Sequence, residues 1–270
     1  MISRYFSSVD FDVALFHPNQ RNISALDILL RVHLNPRAPA NPAANEDSLV
    51  ADGERYKFRR WTVGEWGIFQ AEFKRNVEQY FNWPTMGLWL LPTPMDRLPD
   101  WQTEYGEFIS PQPLSPRFRP VVQCGLSVTL VPTKAQSHVS FDVLRLFDNA
   151  PDFRSFVRMK RNKRDTGVLT NRDTSRQAPS PKRKQQNVVS HEVGHALGLE
   201  HSNQNDPKCT RNENICYGKP GTPQHRNLMG EGNEITTANA IPWVRAIMRL
   251  TPSLSWYPTD QLPKEMHFLM

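Results

Sequence analysis

His191-Glu192-Val193-Gly194-His195-Ala196-Leu197-Gly198-Leu199-Glu200-His201 reads H-E-x-x-H-x-x-G-x-x-H without a gap. On a helix His191 and His195 stand at i and i+4, so their imidazoles share one face and can grip one metal ion. Glu192 projects beside them. It is placed to hold and deprotonate a water at the metal, not to bind the metal itself. Gly198 follows three residues after His195, where a left-handed backbone costs glycine little and ends the helix in a sharp turn. That turn lets His201 come back as a third ligand. Three protein ligands with one open position is the arrangement of a catalytic zinc, not of a structural one. The expected set is therefore one Zn2+ on His191, His195 and His201, with Glu192 as the catalytic residue.

Downstream, Arg226-Asn227-Leu228-Met229-Gly230 forms a short apolar turn whose methionine lies 28 residues beyond His201. The two stretches together resemble the signature of the metzincin clan of zinc endopeptidases. The resemblance implies that Met229 packs beneath the ligands without binding the metal. Ser202 after His201 makes the helix most similar to matrixin-type helices, yet the stretch from 202 to 228 is longer than a matrixin's, so no subfamily is assigned. Astacin- and serralysin-like members carry a tyrosine two residues after the turn methionine; here that position is Glu231, and no tyrosine ligand is expected there. The specific resemblance covers residues 187–230. It implies an α+β fold, a twisted mixed sheet backed by helices with a smaller C-terminal subdomain below an active-site cleft. Residues 1–201 would form the upper subdomain, ending in the zinc helix and third histidine. Residues 202–270 would form the lower one, with the methionine turn and a closing helix. It also implies a protein or peptide substrate lying extended along an edge strand.

The chain outside the motif fits that order. Ile28, Leu30, Val32 and Leu34 alternate with Arg31 and His33, which predicts a half-buried strand over 27–35. Residues 36–56 are rich in Pro, Ala and Asn and read as a loop. Thr62 and Glu65 form a capping box. Val63, Trp66, Phe69, Phe73, Val77, Tyr80 and Phe81 then recur at helical spacing until Pro84. A short apolar run at 87–91 precedes a Pro-rich, irregular 92–120. Strands follow near 125–131 and 138–146, joined by 132–137. Asn187 is a favourable cap for the zinc helix, whose Val189, Val193, Ala196 and Leu197 form an apolar face away from the ligands. Residues 238–250 read as a closing helix with Pro242 in its first turn.

Composition narrows the class. A hydrophobic fraction of 38% and a charged fraction of 22% suit a folded soluble chain, and 23 prolines require long irregular connections. There is no 18-residue apolar run, hence no expected membrane span, and the N-terminus lacks an apolar stretch of leader length. The expectation is a soluble protein, either cytoplasmic or exported without a cleaved leader. A peptidase of that kind endangers its own cell. It therefore suits an effector or toxin delivered by a specialised route, with an inhibitor or immunity protein as partner. Three cysteines are too few for a disulfide framework. Cys209 and Cys216 are either a small disulfide ring or two free thiols, and Cys124 reads as a structural thiol. Residues 153–185 hold eleven basic side chains against Asp165 and Asp173, a net +9. This segment reads as a partly mobile, solvated loop. The alternative reading is a catalytically weak zinc protein that uses this segment to bind nucleic acid or anionic surfaces. The absence of interleaved aromatics in its most basic runs argues against single-strand stacking. Of the other histidines, His17, His33, His138 and His267 show no ligand spacing, and His225 stands close enough to the methionine turn to line a cleft.

Overall fold

The computed structural model describes residues 2–16, 23–51, 53–82, 84–93, 121–158, 165–174, 186–209, 213–252 and 254–261. In chain order they form β1 (Ile2–Ser7), β2 (Asp12–Phe16), β3 (Ile23–Pro36), β4 (Glu46–Ala51), β5 (Glu54–Arg59), α1 (Val63–Tyr80), β6 (Trp89–Thr93), β7 (Val121–Leu130), β8 (Val139–Leu146), β9 (Phe156–Arg158), β10 (Asp165–Thr170), α2 (Val188–Ala196), α3 (Glu213–Cys216), α4 (Pro223–Arg226), α5 (Ile241–Leu250) and β11 (Ser255–Thr259). Parallel and antiparallel pairings both occur, so the fold is α+β with a mixed sheet. Two compact units share these elements. One holds residues 30–78 and 128–234, the other 1–29, 79–127 and 235–270. The units interleave in sequence, changing at 29/30, 78/79, 127/128 and 234/235.

The unit that carries the motif is built on parallel pairing. The second half of β3 pairs in parallel with β8, from Val32↔Val139 to Pro36↔Val143, and β8 pairs in parallel with β10, from Val139↔Asp165 to Leu144↔Thr170. β9 closes this row antiparallel to β10. A sheet with such pairing is covered by helices. Here α1 buries Phe69, Phe73 and Val77, and Phe73 meets Phe141 of β8 at 6.0 Å. The capping box forms as expected: Glu65 accepts from the Thr62 backbone at 3.1 Å, and the Thr62 hydroxyl accepts from the Glu65 backbone at 3.3 Å. The apolar stripe is narrower than its sequence period, because Val63 is 92% exposed. α2 lies beside β9 and β10, which brings the motif to the outer edge of this row of strands.

Two expectations change in this unit. The predicted loop over 36–56 contains a hairpin, β4 with β5, that seats Tyr56 and Phe58 on Leu144 and Leu146. Its exposed positions mix Glu46, Ser48, Val50, Arg55 and Lys57, so no clean apolar–polar alternation marks the strands. The signal that could have revealed it is Asp52-Gly53, a hairpin dipeptide, and Gly53 does take φ +80°. The basic segment is also not simply a loop, since its described residues include β9 and β10.

The other unit holds an antiparallel meander. β1 pairs β2, and β2 pairs the first half of β3, so that strand is longer than the predicted 27–35. β6 pairs both β7 and β11. The closing helix α5 begins with Pro242 in its first turn and buries Trp243, Ala246, Ile247 and Leu250. The Trp243 indole N–H donates to the Gly125 carbonyl at 2.6 Å, and its ring meets Phe81 at 6.0 Å. Cys124 is a buried free thiol here, consistent with a structural role. From 94 to 120 the Pro-rich reading lies outside the described residues, as do His17 and His267.

Candidate metal centre

The α2 helix begins where the sequence placed its cap. The Asn187 side chain accepts from the Ser190 N–H at 3.2 Å, and Asn187's own N–H donates to Asn233 at 2.6 Å. The helix is buried on every side from Val189 to Ala196, beyond the apolar face the sequence indicated. At its end Gly198 takes φ +83°. Its N–H donates to the His195 carbonyl at 2.8 Å and the Leu199 N–H to the Gly194 carbonyl at 2.9 Å. That pair of bonds is a Schellman motif, which satisfies the last carbonyls and reverses the chain.

The reversal delivers His201 to the other two histidines. The Nε2 of His195 lies 3.1 Å from the Nε2 of His191 and 3.1 Å from the Nε2 of His201. One ligating nitrogen from each of the three lies within 4.8 Å of the others, and this is the one such histidine cluster among the described residues.

Hydrogen bonding fixes what those nitrogens present. His195 Nδ1 faces the Leu199 carbonyl at 2.9 Å, and His191 Nδ1 faces the Leu228 carbonyl at 2.7 Å. The Gln186 amide is also close to His191 Nδ1, but its two hydrogens have two carbonyls to satisfy, Gly230 at 2.7 Å and Leu228 at 3.3 Å. Both Nδ1 atoms are then donors, and each Nε2 of a neutral imidazole is a bare lone pair. Burial keeps these rings neutral. It pushes His191 down to about 3, helped by neighbouring His195, and it lowers His195 as well. Lone pairs facing one another at 3.1 Å repel, and a cation between them removes the repulsion. A tetrahedral ion with nitrogens at about 2.0–2.1 Å holds them roughly 3.3 Å apart, so the spacing suits such an ion.

Glu192 is buried beside the triad, and its Oε2 has no hydrogen-bond partner among the described residues. Burial, reinforced by Asp173, raises its carboxyl to about 8 against the opposing pull of Arg154 and a hydrogen bond from the Val157 backbone. Asp173 is itself half-buried, and desolvation pushes its carboxyl up to about 6. It accepts from the Ser155 hydroxyl at 2.5 Å and the Thr170 N–H at 2.6 Å, which ties the start of β9 to the end of β10.

The methionine turn lies against the helix. Met229 is buried, and its Sδ is so close to Gly194 that a Cβ there would come within 2.5 Å. Asn227 shapes the turn by accepting the Met229 N–H at 2.8 Å, and the Ser202 N–H donates to the Met229 carbonyl at 3.0 Å. His225 does not join the triad; it pairs with Glu231 at 3.1 Å. His33 bonds the Val131 carbonyl at 3.2 Å and His138 accepts from the Arg31 N–H at 2.9 Å, both structural roles.

One neighbour of the triad carried no sequence signal. The Tyr217 ring packs on His201 with centroids 4.2 Å apart, and the Arg154 guanidinium donates to its hydroxyl. No motif spacing links 217 to 201. The chain is led there by the Cys209–Cys216 disulfide, which resolves the alternatives left open for those cysteines, and by the Asn203 N–H bond to the Cys216 carbonyl at 2.8 Å. Of the basic segment, Arg172 is spent on the carbonyls of Phe147, Asp148 and Ala150, a structural clamp.

Comparison with known proteins finds no matching family model, no matching curated protein and no matching solved structure. No described helix is long and apolar enough to cross a membrane.

Proposed function

We propose that this chain is a zinc-dependent endopeptidase of the metzincin type, acting on a protein or peptide substrate. One observation carries the reading: three imidazole Nε2 atoms converge on the helix that carries Glu192, a buried glutamate whose Oε2 has no hydrogen-bond partner among the described residues. Zinc suits three neutral imidazoles with a position left open. When bound, it supplies Lewis acidity, bringing a water's pKa toward neutrality and polarising the scissile carbonyl.

The chain's own residues supply the rest. Glu192 takes the proton of the attacking water and passes it to the leaving amine. The carbonyls of Leu228 and Leu199 hold His191 and His195 in the ligating tautomer. Met229 backs the helix from beneath. β9 is paired on one side by β10, and the Val157 bond to Glu192 puts that strand beside the base. An extended substrate adding to β9 would present its backbone there.

The purified protein should carry about one zinc per chain by elemental analysis. Glu192→Ala should retain the zinc and lose cleavage of an unbiased peptide library; a variant that still cleaves sinks the assignment of the base. The effector or toxin role, with an inhibitor or immunity partner, extends this proposal. Toxicity on expression that Glu192→Ala abolishes supports it, and harmless expression of active zinc-loaded enzyme counts against it. The alternative of a nucleic-acid or surface binder gains nothing from Arg172, whose guanidinium engages the protein's own carbonyls.

A further inference from the structure

We infer that Arg154, held on Tyr217, recognises a carboxylate of the substrate, so that the favoured substrates are peptides with an acidic group beside the scissile bond. This rests on the peptidase reading and names its substrate class.

The argument begins with position. Arg154 is exposed, yet its guanidinium is fixed by the Tyr217 hydroxyl and lies 5.5 Å from the centre of that ring. The same ring packs on His201. The positive charge therefore stands one phenol ring away from the three converging nitrogens. That charge is among those acting on His191, His195 and Glu192, an influence that weakens as salt rises.

The backbone beneath Arg154 is also fixed. The next residue, Ser155, is buried and bonded to Asp173. Two residues on, β9 begins, the outer strand beside Glu192. A guanidinium anchored at both side chain and backbone loses little freedom on binding, and its planar fork matches a carboxylate better than an ammonium would. A cation at the triad adds positive charge to the same place. Negative groups are drawn there and positive ones are repelled.

The carboxylate could come from an Asp or Glu side chain or from a peptide C-terminus, and a set of four peptides separates them. Each contains the preferred cleavage sequence with Glu or Gln beside the scissile bond, and a free or amidated C-terminus. Cleavage by the full chain is read as the Glu:Gln and acid:amide ratios of kcat/KM. Binding to the full-length Glu192→Ala variant is read by fluorescence anisotropy, with and without added zinc. We expect one of the two ratios to be about tenfold in favour of the acid, to shrink as salt rises, to fall to near one in Arg154→Ala and to invert in Arg154→Glu. Ratios are used because they survive a general loss of stability. Ratios near one in wild type, or an acid preference that persists in Arg154→Glu, overturn the inference while leaving the peptidase reading intact. If no peptide is cleaved and no zinc is bound, the peptidase reading fails, and the binding ratios still decide whether Arg154 selects carboxylates.

Discussion

Met229 Sδ occupies the space where a side chain at Gly194 would begin, with only 2.5 Å between the sulfur and a Cβ built there. The glycine inside α2 thus leaves the space that the methionine sulfur fills.

Gly194→Ala sets two effects against each other. Alanine gains up to about 1 kcal/mol of helix propensity over glycine. Met229 is buried, so displacing its sulfur overpacks the core at a cost of about 1–3 kcal/mol. The contact should win, so urea unfolding should show net destabilisation, and Met229→Ala should relieve part of it in a double-mutant cycle. A more stable Gly194→Ala protein would show that the turn does not press on the helix.

Gln186 holds the Gly230 and Leu228 carbonyls, and the latter orients His191. Gln186→Ala should weaken zinc binding by about 10–100-fold, a usual cost for losing a group that orients a ligand. Competition with a chelator of known affinity measures it, with far-UV circular dichroism confirming that the fold persists. Unchanged affinity would mean that the Leu228 carbonyl needs no support.

Asp173 gives the protein an acid-favoured stability component. Its folded pKa of about 6 lies above the ordinary 3.8, so the folded state binds its proton more tightly than the unfolded chain. The contribution is complete below about pH 4 and is lost as pH rises through 6, amounting to on the order of 2–3 kcal/mol. Asp173→Asn should remove that slope. Urea midpoints for both proteins between pH 4 and 8 test this, and parallel profiles would exclude Asp173 as the source.

The Cys209–Cys216 ring closes seven positions of chain ahead of Tyr217. Removing it with Cys209→Ser and Cys216→Ser together should cost about 2 kcal/mol of stability, the small value of a short loop. Differential scanning calorimetry with and without reductant checks this. A reductant-insensitive wild type would mean that the ring contributes nothing.

Features encoded by neighbouring residues were legible in the sequence. The Thr62–Glu65 box, the Asn187 cap, the left-handed Gly198 and the shared face of His191 and His195 each depend on a few adjacent positions, and each appears in the structure. Features that depend on distant residues were hidden. Tyr217 meets His201 beside the Cys209–Cys216 disulfide and the Asn203 bond to the Cys216 carbonyl, links between residues far apart in any local pattern. Asp173 acquires its character only when β10 and the start of β9 enclose it. Inside the basic segment, β9 is only three residues long and β10 is interrupted by Gly167, and in the β4–β5 hairpin the exposed Val50 breaks the alternation.

The two hydrogen bonds that orient the histidine rings differ in reach. His195 is oriented by Leu199, four residues away, within the turn that also delivers His201. His191 is oriented by Leu228, 37 residues away. Two of the three histidines can therefore be arranged by a single local turn, while the third waits on a long-range docking event. Metal affinity then becomes a gauge of assembly: a chain whose methionine turn has not docked would hold a cation with a partial set, and full-strength binding would mark the moment the distant segment arrives.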